Sequence, residues 1–217
     1  MLKSKRENQR LEDFVVLADI GNSNYHIWDN GKIYNLKTPK KFEDEIYYIS
    51  VNEKKEKKFI QKNPNAINLK NFAKLDTSYT MLGIDRLMAC KAVNDGIVVD
   101  AGSAITIDIM QEGVHLGGII MPGINAFKEA YGKISNKLNV DLCEIDFAKL
   151  PQNTQEAVTY GSVGAVIVMI NKLKRNKKVY FTGGDGKYFA KYIKGVYIKD
   201  LVFRGMLLTI KDLGLRI

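Results

Sequence analysis

The chain has 217 residues, 46% of them hydrophobic, enough for one large domain or two small ones with a proper core. Its longest apolar run, near Ala165 to Ile170, falls far short of the roughly 20 residues a membrane-spanning helix needs, so no span is expected. The net charge is +9, but the lysines gather in polar stretches over 3–10, 53–58 and 172–178, without interleaved aromatics, so the expectation is an ordinary basic surface suited to anionic small ligands rather than a nucleic-acid face.

Residues 1–13 are polar and basic, with no apolar stretch behind them. They read as a frayed leader without a secretory signal, which makes the cytoplasm the expected compartment. Residues 14–19, 24–29 and 32–36 read as three strands, with Asn30-Gly31 as a two-residue hairpin turn that needs positive φ at both positions. Between 37 and 76 the signals are weak: a helix-like acidic piece at 42–45, a strand at 47–51, a solvated lysine run, and a turn at Asn63-Pro64-Asn65. Residues 82–93 have helical spacing and open on Gly83-Ile84-Asp85-Arg86.

Residues 97–100, 104–110 and 114–121 are the next strands. Pro122-Gly123 opens a helix with Ile124, Phe127, Tyr131, Ile134 and Leu138 on one stripe. Asn153, with Glu156 three positions on, reads as the cap of a helix reaching about Leu173. Gly161 and Gly164 on that helix cost roughly 1 kcal/mol each in propensity, so close packing against them is expected. A strand over 178–181, a short helix over 188–193, a strand over 196–198 and a helix over 201–213 complete the chain.

One phrase occurs twice. Val15-Val16-Leu17-Ala18-Asp19-Ile20-Gly21-Asn22-Ser23 and Ile97-Val98-Val99-Asp100-Ala101-Gly102-Ser103 each run a buried strand into Asp-x-Gly and a hairpin. An Asp before Gly is ordinarily a turn former. Two in the same relation to a strand and a hairpin suggest a duplicated α/β unit in which each carboxylate meets a cation and the glycine backbone meets phosphate oxygens. Asp85 and Arg86 read either as a first-turn acid with an unrelated neighbour, or as a proton acceptor beside an anion anchor. Thr182-Gly183-Gly184, after a strand and before a helix, can seat a base or a phosphate. Structural roles are expected for His26 and His115. Cys90 and Cys143 lack short-spaced metal-ligand neighbours, so no zinc site is expected and both thiols are read as reduced.

Taken in order, Asp19-Ile20-Gly21-Asn22-Ser23, Gly83-Ile84-Asp85-Arg86, Asp100-Ala101-Gly102-Ser103-Ala104, Gly117-Gly118-Ile119-Ile120-Met121-Pro122-Gly123, Asn153-Thr154 and Thr182-Gly183-Gly184 resemble the motif series of type III pantothenate kinases, in the acetate and sugar kinase/Hsp70/actin superfamily. The resemblance implies duplicated ribonuclease-H-like (actin/hexokinase-like) domains with mixed sheets and an interdomain cleft, over residues 1–80 and 81–217, with the terminal helix packing back. It implies a homodimer that phosphorylates pantothenate with ATP, the first step toward coenzyme A. Asp85 would be the general base; Gly83, Ile84, Asp85, Arg86 and Thr154 would hold pantothenate. Asp19, Gly21, Asn22, Ser23, Asn24, His26, Ser103, Gly183 and Gly184 would line ATP. Asp100 would hold a monovalent cation, K⁺ or NH₄⁺, and Asp19 would organise Mg²⁺ through the phosphates. The family's usual Thr is Ser at 23 and 103, which keeps the hydroxyl, and its tyrosine upstream of the Gly-x-Asp-Arg motif falls on Asp76, with Tyr79 nearby. The alternatives are another small-molecule kinase of the superfamily or a non-catalytic transcription accessory factor.

Overall fold

The computed structural model describes residues 15–214; the expected leader, and Phe14 at the start of the first strand, lie outside them. The described chain forms two compact units.

The first unit holds residues 15–76, Thr80–Ala92 and residues 200–214. Strands β1 (Val15–Ile20), β2 (Tyr25–Asp29) and β3 (Lys32–Leu36) form an antiparallel meander. Asn30 and Gly31 both have positive φ, 49° and 75°, as a primed two-residue turn requires. Strand β4 (Glu45–Ser50) pairs parallel to β1, helix α1 (Glu53–Lys62) follows, and β5 (Ile67–Asn68) extends the sheet to the order β3-β2-β1-β4-β5.

Helix α1 replaces the expected solvated lysine run. Asn52 caps it by accepting from the Lys55 N–H at 3.0 Å. A single apolar residue, Phe59, is fully buried against Val16, Ala18, Ile20 and Tyr25. Burying one phenylalanine is worth roughly 1.5–3 kcal/mol, so one position docks a helix that nine other residues leave polar or partly exposed. The acidic piece read as helix-like near 42–45 is irregular chain, and Glu45 already begins β4.

Two-residue strand β6 (Asp76–Thr77) precedes helix α2 (Ile84–Lys91). After α2 come β7 (Gly96–Ala101), β8 (Ala104–Gln111) and β9 (Val114–Pro122), a second antiparallel meander with positive φ at Glu112 and Gly113 in its β8–β9 hairpin. Helix α3 (Ile124–Ile134) stops earlier than its apolar stripe suggests. Ser135 is extended and caps a short 3-10 turn, Asn136–Leu138.

Asn153 caps α4 (Thr154–Thr159), accepting from the Glu156 N–H at 2.9 Å as the sequence predicts. A π-helical turn, Tyr160–Gly164, joins it to α5 (Ala165–Lys174). The two glycines admit ring systems: a Cβ at Gly161 would lie 2.8 Å from the Tyr131 hydroxyl, and one at Gly164 would lie 3.1 Å from the Phe147 ring. Strand β10 (Val179–Thr182) is parallel to β7, α6 (Gly186–Phe189) follows, and β11 (Val196–Tyr197) is parallel to β10. The second sheet has the order β11-β10-β7-β8-β9, with β6 at the edge beside β9.

Each meander-plus-parallel set has the same order, third-second-first-fourth-fifth. That topology makes the two sheets copies of one ribonuclease-H-like unit. The core of the second unit lies on one face of its sheet, where Ile97, Val99, Ile105, Ile107 and Phe181 meet Val166 and Ile170 of α5.

Helix α7 (Leu201–Asp212) returns to the first unit and packs on α2 and β1. A Cβ on Gly205 would collide with the Met88 backbone carbonyl, so α7 and α2 approach at backbone distance. The division by contact therefore differs from a single cut at 80/81: residues 80–92 and 200–214 belong with the first sheet, because α2 and α7 bury their apolar faces on each other.

Candidate active site

In the first unit, β1 carries Asp19 to its C-terminal end. Val16, Ala18 and Ile20 face the α1 side, and Asp19 alternates onto the other face. The turn beyond is tight, with the Gly21 N–H bonding the Asn24 carbonyl at 3.1 Å. Helix α1 braces this turn. The Asn52 amide donates to Asn22 Oδ1 at 3.2 Å, and Lys55 Nζ donates to the Gly21 carbonyl at 3.2 Å while lying 4.8 Å from the Tyr25 ring centre. Tyr25 in turn donates to the Lys55 carbonyl.

His26, opposite Asp19 in the β1–β2 register, lies near Gly21: a Cβ there would sit 3.6 Å from Nε2. Its Nδ1 pairs with Asn35 Oδ1 at 2.8 Å. Burial, with the Lys55 charge adding to it, holds the imidazole below its usual 6.5, against the opposing Asn35 bond. The Lys55 ammonium is itself lowered by burial and by Lys37. Lys55 and Asn52 thus belong to the first loop, although sequence reading placed this stretch among solvated lysines. The available signal was an Asn-capped start with the apolar Phe59 nearly two turns further on.

Asp85 sits in the first turn of α2, where the helix N-terminus favours an anion. Its Oδ1 accepts from the Arg86 N–H at 2.8 Å. Gly83 makes room for it, since a Cβ there would meet Oδ1 at 2.7 Å. Ile84 is buried and anchors the turn, and the Arg86 side chain is buried too.

In the second unit, Asp100 ends β7 on the face opposite the α5 core, between Thr106 on β8 and Thr182 on β10. The Gly102 N–H bonds the Ala104 carbonyl at 2.9 Å, repeating the first turn. Gly183, at φ 81°, lies so close that any Cβ would strike the Asp100 carboxylate and the Ala101 carbonyl. The Asp185 N–H bonds that carbonyl at 2.9 Å, and Tyr197 donates to the Gly183 carbonyl at 3.2 Å. Burial first, then the Asp100 charge, raises the Tyr197 phenol. Nothing lies within 4 Å of a Cβ built at Gly184, which leaves open space at the second glycine. Ser103 is exposed at the tip, with Gly123 wedged against its backbone.

Thr106 Oγ1 is buried and makes no hydrogen bond among the described residues. A carboxylate with an adjacent unsatisfied hydroxyl is an all-oxygen donor set, the kind a hard cation takes.

The structure therefore brings Asp19, Gly21, Asn22 and His26 together around the first turn, and Asp100, Gly102 and Gly183 around the second. Thr154 is exposed one residue after the Asn153 cap.

A family model described as type III pantothenate kinase matches residues 37–176. A type III pantothenate kinase from Helicobacter hepaticus is 46% identical over 88% of this chain and 96% of its own length. The relative from Wolinella succinogenes with the same name is 43% identical over 92% of this chain and 98% of its own. A crystal structure from Campylobacter jejuni, described as a conserved Baf family transcriptional activator, superposes with a TM-score of 0.81 at 40% identity, covering 92% of this chain and 98% of that one. Motif order, the doubled sheet topology and these likenesses agree, and the chain belongs to the type III pantothenate kinase family.

Proposed function

We propose that this protein transfers the γ-phosphoryl group of ATP to the terminal hydroxyl of pantothenate, giving 4′-phosphopantothenate and ADP at the head of coenzyme A synthesis. The observation that carries the reading is the family membership over nine-tenths of the chain, with Asp19, Asp85 and Asp100 each at the end of a strand or in the first turn of a helix.

The pantothenate oxygen bonds to the γ-phosphorus as the bond from that phosphorus to the β–γ bridging oxygen breaks. Asp85 takes the hydroxyl proton, and ADP leaves. Catalysis of this kind is mostly positioning and charge stabilisation. The first turn, braced by Lys55 and Asn52, presents backbone N–H groups to phosphate, and Asp19 organises Mg²⁺ through the phosphates. Asp100, with the Thr106 hydroxyl opposite it, holds K⁺ or NH₄⁺, whose charge offsets that of the phosphates. Ser103 contacts ATP, Gly183 and Gly184 lie against it, and Arg86 and Thr154 hold the acceptor.

The working form in this reading is a homodimer. Helix α3 buries none of its residues, and Ile134 on it, like Leu116 and Ile120 on β9, is an exposed apolar side chain.

A coupled ADP-release assay with and without pantothenate, in potassium and in sodium, tests the reading. Release that depends on pantothenate and is faster in potassium is expected. Release on another alcohol from an acceptor panel but not on pantothenate overturns it. No release at all, together with a steep salt-dependent affinity for duplex DNA, favours a regulator instead.

A further inference from the structure

The first unit holds an ammonium that its own surroundings leave uncompensated. Lys55 is partly buried on α1. Its Nζ donates to the Gly21 carbonyl at 3.2 Å and lies 4.8 Å from the Tyr25 ring centre. Among the described residues no carboxylate pairs with it. Its neighbour Glu56 is taken elsewhere, accepting from the Tyr48 hydroxyl at 2.9 Å and from the Asn68 amide at 3.1 Å. Burial and the like charge of Lys37 both act against the charged form. One neutral carbonyl and a ring face are partial compensation for a cation withdrawn from water, and two of the three ammonium N–H donors are left over.

Helix stability does not account for the placement. Lys55 stands in the first turn of α1, three positions after the Asn52 cap, where the macrodipole favours an anion and opposes a cation. The packing nonetheless fixes it there. Lys55 and Phe59 are four positions apart and share one face of the helix, and both meet Tyr25. The Tyr25 ring stacks on Phe59 with centroids 6.2 Å apart, and its hydroxyl donates to the Lys55 carbonyl at 3.1 Å. The Asn52 side chain accepts from the Lys55 N–H and donates to Asn22 on the turn itself. Phe59, Tyr25 and Asn52 thus converge on one outcome, an ammonium held at the carbonyl of Gly21.

We propose that Lys55 is a direct phosphate ligand, with one donor anchored on the Gly21 carbonyl and the other two taking oxygens of the nucleotide's phosphate chain. The contact rests on ATP being the donor, as proposed above, and adds a residue that the motif series does not contain. The bound phosphates supply the counter-charge that the protein withholds from Lys55, and Lys55 offsets the charge that builds on the leaving phosphate. A brace and a contact differ in what they require of the side chain: a brace needs a donor for the Gly21 carbonyl, and a contact needs the charge.

Binding titrations of ATP and of inorganic tripolyphosphate, with Mg²⁺ present, separate the two in the full-length protein and its Lys55→Arg, Lys55→Gln and Lys55→Met variants. Arginine keeps charge and donors, glutamine keeps a donor without the charge, and methionine keeps neither. The dissociation constants are expected to follow the charge for both ligands: arginine within about threefold of wild type, glutamine and methionine each weaker by about tenfold or more, the scale of one lost charged hydrogen bond. Affinities that follow the donor, with only the methionine variant weakened, make Lys55 a brace and overturn the contact. Equal affinities in all four proteins, an arginine variant as weak as methionine, or a wild type that binds ATP but not tripolyphosphate overturn it too. Urea midpoints of the variants are expected to stay near the wild-type value, and a fall that tracks the loss of affinity assigns Lys55 to the fold instead. A wild type that binds neither ligand removes the donor assignment and the contact with it, whereas unchanged variants of a wild type that binds both remove the contact alone.

Discussion

Gly83 and Asp85 show how little space separates a helix start from the proposed proton acceptor. The carboxylate folds back over position 83 and accepts the Arg86 N–H, an arrangement only a residue without Cβ leaves room for. Asp85→Asn keeps the shape and removes the proposed base, so turnover is expected to fall roughly 10²–10⁴-fold with nucleotide affinity kept, measured by ADP release and nucleotide-binding titration. Lys55 works one loop away. Lys55→Met removes a charged donor from the Gly21 carbonyl, and the ATP KM is expected to rise about tenfold with the pantothenate KM unmoved. His26 supplies a pH signature. Its folded imidazole is lowered, so between its unfolded value of 6.5 and the lower folded one, the unfolded chain binds the extra proton. Stability is therefore full above 6.5 and is lost as pH falls below it. Chemical denaturation of wild type and His26→Gln checks this: the variant's stability is expected to decline less between pH 7 and about 5.

Helices α1 and α7 reach their places by opposite means. Helix α1 is almost wholly polar and is fixed by Asn52 at one end and Phe59 in the middle. Helix α7 buries Leu201, Val202, Phe203, Met206 and Ile210, and closes on α2 at Gly205. In an exposed helix Gly→Ala gains about 1 kcal/mol of propensity. At Gly205 the new methyl would strike the Met88 carbonyl, and overpacking costs typically about 1–3 kcal/mol or more, so the clash wins. Gly205→Ala is expected to lower the urea midpoint without changing the slope of the transition. A bulge in β9 belongs among these devices too, since one inserted residue exchanges Leu116 for His115 on the buried face.

The two sheets share one order although their sequences share little beyond the Asp-x-Gly turns. Each presents an aspartate at the end of its first strand, and each braces the following turn differently: the first with Lys55 and Asn52, the second with Gly183 and Tyr197. The exposed apolar residues of β9 test the proposed dimer. Ile120 is 59% exposed, and Ile120→Glu places a charge there without touching the core. Sedimentation is expected to give twice the mass of one chain for the wild type and one chain's mass for Ile120→Glu; a monomeric wild type would remove the dimer from the reading.

Strong local chemistry was legible from the residues. Asn30-Gly31 demands a primed turn, Asn153 and Glu156 mark a helix start, and alternation in β7 and β8 separates Asp100 from the core face. The duplicated Asp-x-Gly phrase carried the doubled fold, because a buried strand ending in a carboxylate constrains what must follow it. Other features depended on contacts distant in sequence. Glu53–Lys62 has only the adjacent pair Phe59 and Ile60 as apolar residues, which makes no helical period to reveal a helix, until Phe59 finds the face of β1. Helix α3 ends at Ile134 although its apolar stripe runs on, since Ser135 turns the chain to cap the next segment. His115 reads as an ordinary strand residue, because a bulge is a property of two strands in register, and one strand's sequence does not contain it. Residues 80–92 and 200–214 join the first unit for the same reason: the meeting of Gly205 and Met88 spans most of the chain, and packing alone brings them together.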